Sequence, residues 1–161
     1  MRDLINRLAR KYPTIKFAPG EQFYWSPESQ EIIYIEKARG NQAAWSLLHE
    51  TGHALLNHRG WQADYELIRL EMAAWQRAQS LAAELGLQID EDHIQDCLDT
   101  YRDWLYRRSL CPNCNNKCLQ QSDYSHYRCF NCHTTWKVGP NRFARTYRSR
   151  QNVPQPDTIF I

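Results

Sequence analysis

The residues most able to do chemistry are His49, Glu50 and His53, in the run His49-Glu50-Thr51-Gly52-His53. On a helix, positions i and i+4 lie on one face, one turn apart. Two imidazoles so placed can both reach one tetrahedral Zn²⁺ at about 2.0–2.1 Å. Glu50, set to the side of the pair, can reach the open fourth position. There it can take a proton from an activated water and pass it to a leaving amine. The plain alternative is a chance match on a surface helix. Gly52 costs about 1 kcal/mol relative to Ala in mid-helix, which points to a close backbone approach at that position.

A catalytic zinc of this kind needs a third protein ligand. The metzincin extension would put Gly at 56 and His at 59, where the chain has Leu56 and Arg59. No histidine lies in the next helical run, which leaves carboxylates. On a wheel of about 100° per residue with Leu67 at zero, Leu67, Leu70, Ala74, Ala78, Leu81 and Leu85 make one apolar stripe. Glu71 falls at about 40°, inside that stripe, while Glu66 falls at about 260°, on its polar border. A carboxylate in an apolar stripe is costly unless it is paired or binds a metal. A salt bridge to an internal arginine is the other explanation of Glu71, and Asp64 reads as a helix N-cap.

Cys111-Pro-Asn-Cys114, fourteen intervening residues and Cys129-Phe-Asn-Cys132 form a second constellation. Paired C-x₂-C turns read as a structural Cys₄ zinc site in a ribbon-like module. The residue after each turn often needs a positive φ, and Asn115 and His133 stand there. A module of some thirty residues has little core of its own, so metal would supply its folding energy. Cys118 and His126 read as bystanders, and Cys97 as an ordinary buried thiol on a helix stripe.

The elements that must position these groups follow from periodicity and punctuation. Residues 2–11 read as a short helix ending before Pro13. Three β-prone runs, 14–18, 22–25 and 31–36, are separated by Pro19-Gly20 and Ser26-Pro27, which suggests a small antiparallel meander. If 31–36 were an edge strand beside the site, it could hold a peptide by strand addition; pairing within the sheet is the alternative. Asn41 reads as the N-cap of a helix running through His58, and a second long helix covers roughly 64–85, ending at Gly86. Asp90 can cap a third, roughly 91–108, with Ile94, Cys97, Leu98, Tyr101, Trp104 and Leu105 inward and Arg107 and Arg108 at its C-terminal end. The fold class expected is α+β: a small antiparallel sheet with the HExxH helix and two further long helices, then a Cys₄ ribbon. The corresponding division is 1–108, a zinc metallopeptidase domain; 109–139, the ribbon; and 140–161, a basic, partly irregular tail.

Composition sets the wider frame. The chain has 161 residues and a net charge of +2, but the charge is unevenly spread. Residues 111–150 carry seven Lys/Arg against Asp123 alone, a balance of +6, whereas residues 1–110 carry 13 against 16, a balance of −3. A basic C-terminal third, with Tyr124, Tyr127, Phe130, Trp136, Phe143 and Tyr147 among the cations, is a nucleic-acid pattern. A docking or stabilising element with a solvated charged face fits equally. No apolar run approaches the ~18 residues of a membrane span, and the N-terminal MRDLINRLARKYP lacks a secretory h-region. The expectation is a cytoplasmic protein without membrane association, where clustered cysteines are metal ligands.

WSLLHETGHALLNH followed by LEMAAWQRA resembles the ImmA/IrrE group of small metallopeptidases over about residues 14–85. The resemblance implies a gluzincin-type His₂Glu site with His49, His53 and Glu71 as ligands, Glu50 as base, and one specific protein substrate, often a repressor. The group's downstream segment often reads E-x-E-A, followed by Asn or Asp and then Phe-Ala; this chain has Ala73 and Trp75 there. SprT-type proteases, which act on DNA-associated proteins, are similar in layout because they join HExxH to a C-terminal ribbon. They use a third histidine in an HGxxF/W-like segment that this chain lacks. The sequence thus implies two Zn²⁺, one catalytic and one structural on Cys111, Cys114, Cys129 and Cys132. A non-catalytic nucleic-acid or protein-binding zinc module is the reading outside enzymes. His58 and Tyr65 stand near the motif, and neither is singled out as an oxyanion donor; substrate-binding residues stay unassigned.

Overall fold

The computed structural model describes residues 1–139 and the backbone of 148–151. The protein is α+β, with four helices and two small sheets. In chain order the elements are α1 (Arg2–Lys11), β1 (Lys16–Pro19), β2 (Tyr24–Ser26), β3 (Glu31–Tyr34), α2 (Asn41–Leu55), α3 (Asp64–Glu84), α4 (Glu91–Ser109), β4 (His126–Arg128), β5 (Thr135–Val138) and β6 (Arg148–Gln151). They fall into two compact units: Met1–Trp61 with Tyr65–Leu98, and Gln62–Asp64 with the chain from Asp99 onward. The change of unit at Leu98 and Asp99 lies within α4.

In the first unit the sheet order is β1-β3-β2. The β2–β3 hairpin is antiparallel, with Trp25 opposite Ile32, but β1 runs parallel to β3, with Phe17 opposite Ile32. This departs from the expected meander. The reason lies in β3, whose Glu-Ile-Ile-Tyr run is the most β-prone of the three. Its Ile32 is fully buried, so β3 takes the centre, where both backbone edges are paired. Of the two readings of 31–36, pairing within the sheet is the one that holds, and the edges are β1 and β2.

The helices close the core of this unit. Leu4 and Leu8 of α1, Ile32 of β3, Leu47 and Leu48 of α2, Ala78 and Leu81 of α3 and Ile94 and Leu98 of α4 form one cluster. Each set recurs at helical spacing, so every helix turns one apolar stripe inward. The helix ends follow local rules. Gly40, and not Asn41, occupies the N-cap of α2. Asp90 accepts a hydrogen bond from the Asp92 N–H at 3.1 Å and caps α4. Gly86, at φ 68°, ends α3 in the left-handed conformation that glycine adopts without Cβ strain.

In the second unit β4, β5 and β6 form an antiparallel sheet in that order. β6 lies in the segment expected to be irregular and pairs with β5 from Val138↔Arg148 to Thr135↔Gln151. Beneath the strands Tyr127 and Trp136 are fully buried and stacked, with ring centroids 5.5 Å apart. The Trp136 indole donates to the Arg108 carbonyl at 3.1 Å. Arg108 itself is buried: its guanidinium lies over Trp104, and Nε is 3.7 Å from Asp64 Oδ1. Asp64 also accepts a hydrogen bond from the Tyr127 hydroxyl. Asp64 is thus the first residue of α3 rather than the N-cap before it, and its carboxylate turns to Tyr127 and Arg108.

Candidate metal centres

α2 presents His49 and His53 one turn apart, and α3 supplies Glu71 opposite them. His49 Nε2 lies 3.1 Å from His53 Nε2 and 3.1 Å from Glu71 Oε2, and His53 Nε2 lies 3.5 Å from the same oxygen. Ligand atoms around a tetrahedral ion at about 2.0–2.1 Å are roughly 3.3 Å apart. The three atoms therefore have the spacing of one metal's donor set, and the group could hold a metal ion.

The close meeting of α2 and α3 rests on Gly52. A Cβ at that position would come within 2.4 Å of the Ala74 carbonyl oxygen, so only glycine permits this backbone contact. It lies on the turn between the two histidines and one turn beyond Glu71 on α3. The glycine read from sequence as a close-approach position is one.

Glu71 is buried within the apolar stripe, as its wheel position implied. Its partners are the two histidines rather than an arginine. Burial alone would raise its carboxyl, but hydrogen bonds from His49 and His53, with their charge, outweigh that and bring it down to about 2. For His53, burial lowers the imidazole, while the Glu71 hydrogen bond and the charges of Glu71 and Glu50 raise it on balance.

Glu50 is half-buried at the side of the pair and does not join the donor set. Its Oε2 accepts a hydrogen bond from the Trp25 backbone N–H at 2.8 Å. β2 is an edge strand, and Trp25 directs this N–H off that edge toward α2. The Trp25 indole donates in turn to the His58 carbonyl at 2.9 Å.

Three residues that sequence reasoning left without a role thus surround the centre. Trp25 holds Glu50. Trp75 stacks on the His49 ring, with centroids 4.1 Å apart and planes at 28°. His58 places Nδ1 2.9 Å from His53 Nδ1. Burial and the neighbouring His53 charge lower the His58 imidazole. The helix expected to run through His58 ends at Leu55. Asn57 then takes φ 52°, the Asn57 N–H donates to the Ala54 carbonyl, and the His58 N–H donates to the His53 carbonyl, each at 3.1 Å. This is a Schellman cap with asparagine in the left-handed position. The signal available in the sequence was Asn57, a residue type that tolerates that conformation. Tyr65 is exposed on α3.

Cys111, Cys114, Cys129 and Cys132 gather into the second group that could hold a metal ion. Cys111 and Cys132 sulfurs are 3.5 Å apart, and Cys114 and Cys129 sulfurs 3.4 Å. Disulfide sulfurs lie about 2.05 Å apart, so these are four thiols around a common centre. Asn115 at φ 60° and His133 at φ 58° occupy the turns as expected. Their N–H groups donate to the Cys111 and Cys129 carbonyls, each at 2.9 Å. The Thr134 hydroxyl and N–H, with Asn113, draw the Cys132 thiol down to about 5, toward the thiolate a metal needs. Cys118 is buried in the same small core but stands outside the four. His126 pairs with Asp123 in a turn.

The aromatic–basic pattern of the ribbon is reduced by burial. Tyr127 and Trp136 belong to the core, while Tyr124 and Phe130 remain exposed. Phe143 and Tyr147, with Arg142 and Arg145, lie outside the described residues. No helix among the described residues is long and apolar enough to cross a membrane. Comparison of the chain with family models, curated proteins and solved structures finds no match.

Proposed function

We propose that this protein is a zinc metallopeptidase of the His₂Glu kind, in which His49, His53 and Glu71 hold the catalytic Zn²⁺ and Glu50 is general base and acid. The carrying observation is the convergence of three buried or half-buried donor atoms from two helices, with a fourth acidic side chain beside them and outside the set. Two neutral imidazoles and one carboxylate suit Zn²⁺, as in other catalytic sites with three protein ligands. When bound there, zinc supplies Lewis acidity that polarises a peptide carbonyl and makes water more acidic.

The chain's own residues do the rest. Glu50 takes a proton from the attacking water and delivers it to the leaving amine as the C–N bond breaks. Trp25 holds the carboxylate in place from the strand edge. A polypeptide substrate would lie beside β2, the edge strand next to Glu50, whose Trp25 N–H is already given to the Glu50 carboxylate. A single protein substrate is what the resemblance to the ImmA/IrrE group implies. The SprT-like alternative needs a third histidine, whereas a carboxylate completes this donor set. The second Zn²⁺ is structural, on the four cysteines. Nucleic acid remains the partner tested against this reading, through the exposed Phe130 and Tyr124 and the basic ribbon.

Glu50→Gln provides the test. The variant should keep two Zn per chain and lose peptide hydrolysis by at least about 10²-fold, the low end of what general acid–base catalysis contributes. Used as a trap, it should capture a polypeptide that wild type cleaves. Retained hydrolysis, or capture of nucleic acid without polypeptide, would count against the proposal.

A further inference from the structure

We infer that His58 is a positioning residue: it accepts the Nδ1 hydrogen of His53 and so holds that ring with Nε2 turned to the metal. The inference rests on the metal-site assignment above and extends it to the layer behind the ligands.

His53 directs Nε2 toward His49 Nε2 and Glu71 Oε2. A ring nitrogen that ligates a cation offers its lone pair, so in the neutral imidazole the hydrogen sits on the other nitrogen. That nitrogen, Nδ1, lies 2.9 Å from His58 Nδ1. Two hydrogens do not fit in such a gap. With His53 Nδ1–H as donor, His58 Nδ1 is the acceptor and carries its own hydrogen on Nε2. The ring planes stand at 74° to one another, so the rings are not stacked, and the close contact is the one between the two Nδ1 atoms.

His58 is not a fourth ligand by its placement. Among the described residues the donor groups of three or more are His49/His53/Glu71 and the four cysteines, and His58 joins neither. Its aim is fixed from two sides. The Asn57 cap folds the chain back so that the His58 N–H meets the His53 carbonyl at 3.1 Å. The Trp25 indole fixes the His58 carbonyl at 2.9 Å.

The other ligand is held differently. His49 Nδ1 is buried with no hydrogen-bond partner among the described residues, and its ring is fixed by the Trp75 stack. One ligand is therefore set by a hydrogen bond and the other by packing. Loss of an outer partner of a ligating histidine typically costs 10–100-fold in metal affinity. That loss should follow from His58 alone, and through His53.

The test uses the full chain. Zn²⁺ affinity at the His₂Glu site is measured by competition with a chromophoric chelator in wild type, His58→Ala and His58→Gln, with Cys₄ occupancy counted separately. Long-range ¹H–¹⁵N NMR of the zinc-loaded wild type reads which nitrogen of His53 carries hydrogen. Expected are a hydrogen on His53 Nδ1, a roughly 10–100-fold weaker site in His58→Ala, and recovery of most of the loss in His58→Gln, whose amide oxygen can accept the bond. An unprotonated His53 Nδ1, an unchanged affinity in His58→Ala, or a Gln variant no better than Ala overturns the inference while leaving the metal site intact. Absence of zinc at His49, His53 and Glu71 in wild type overturns both. Zinc held as expected by a chain that cleaves nothing removes only the peptidase reading.

Discussion

Gly52 of α2 meets the Ala74 carbonyl of α3 so closely that a Cβ would stand 2.4 Å from the oxygen. That contact sets how near the helix with two histidines comes to the helix with the glutamate. Two effects of opposite sign meet in Gly52→Ala. Helix propensity alone would favour alanine by about 1 kcal/mol. Overpacking against backbone, which cannot swing aside as a side chain can, costs typically 1–3 kcal/mol. The clash should win, giving a lower melting temperature and weaker Zn²⁺ binding at the His₂Glu site. A variant more stable than wild type would show that the approach of the helices is not constrained there.

Glu71 gives a pH-dependent prediction for the metal-free protein. Its carboxyl is held down to about 2 in the folded state, against an ordinary value of 4.5. A depressed carboxylate contributes stability that is present above pH 4.5 and lost as pH falls toward 2. The linkage is worth on the order of 3 kcal/mol before allowance for the coupling to His49 and His53. Acid melts of the metal-free chain should steepen across that window, and Glu71→Gln should flatten them. Equal slopes in the two proteins would remove this assignment.

His53 predicts the opposite limb. Its folded value lies above the ordinary 6.5. Its pairing with Glu71 therefore stabilises the metal-free protein below 6.5 and is lost as pH rises through the folded value. Metal needs the ring neutral, so Zn²⁺ must displace that proton. Affinity at this site should increase as pH rises through the raised folded value of His53, and calorimetry in buffers of different ionisation enthalpy should detect proton release there. Binding without proton release at pH 6.5, where the raised imidazole is mostly protonated, would contradict it.

Asn57 makes the cap itself testable. At φ 52° an ordinary side chain costs roughly 1–2 kcal/mol. Asn57→Gly should be neutral or slightly stabilising, whereas Asn57→Val should lower the melting temperature and move His58 away from His53. Chemical denaturation gives the first quantity and Zn²⁺ affinity the second. Indifference to valine would dissociate the cap from the site.

The ribbon should depend on its own metal. Cys114→Ser is expected to remove one metal and leave the His₂Glu centre loaded. Because Tyr127 and Trp136 pack directly over the cysteines, the Trp136 indole N–H resonance should lose protection when that metal goes. A protected resonance in the metal-free ribbon would mean that its core stands without the ion.

Much of this was legible because its cause is local. The i, i+4 spacing of His49 and His53 follows from helix geometry, and Glu71 stands out as a carboxylate in an apolar stripe. The two Cys-x-x-Cys turns, with Asn115 and His133 at positive φ, depend on a handful of neighbouring bonds. The α+β class came from the change of period at residue 41.

What failed was long-range. The sequence does not say which strand sits centrally, because β1 and β3 pair across the whole β2 hairpin, and the burial of Ile32 decides it. Tyr127 and Trp136 read like a nucleic-acid surface, since an aromatic among cations looks alike whether it faces solvent or a core. His58 lies three residues past a helix whose end turns on a single left-handed asparagine, Asn57. Trp25, far back in the chain, joins the site through a backbone N–H that every residue but proline possesses.

The sequence by itself determined the chemistry available: two imidazoles, two carboxylates and four thiols at spacings that helices and turns convert into shared faces. Tertiary structure decided which carboxylate joins the histidines, Glu71, and which stands beside them, Glu50. It also decided that a strand edge holds the Glu50 carboxylate and that His58 closes behind His53. Spacing along one element is dictated by its own backbone geometry. Distances between elements depend on how their side chains pack, as Gly52 against Ala74 shows most directly.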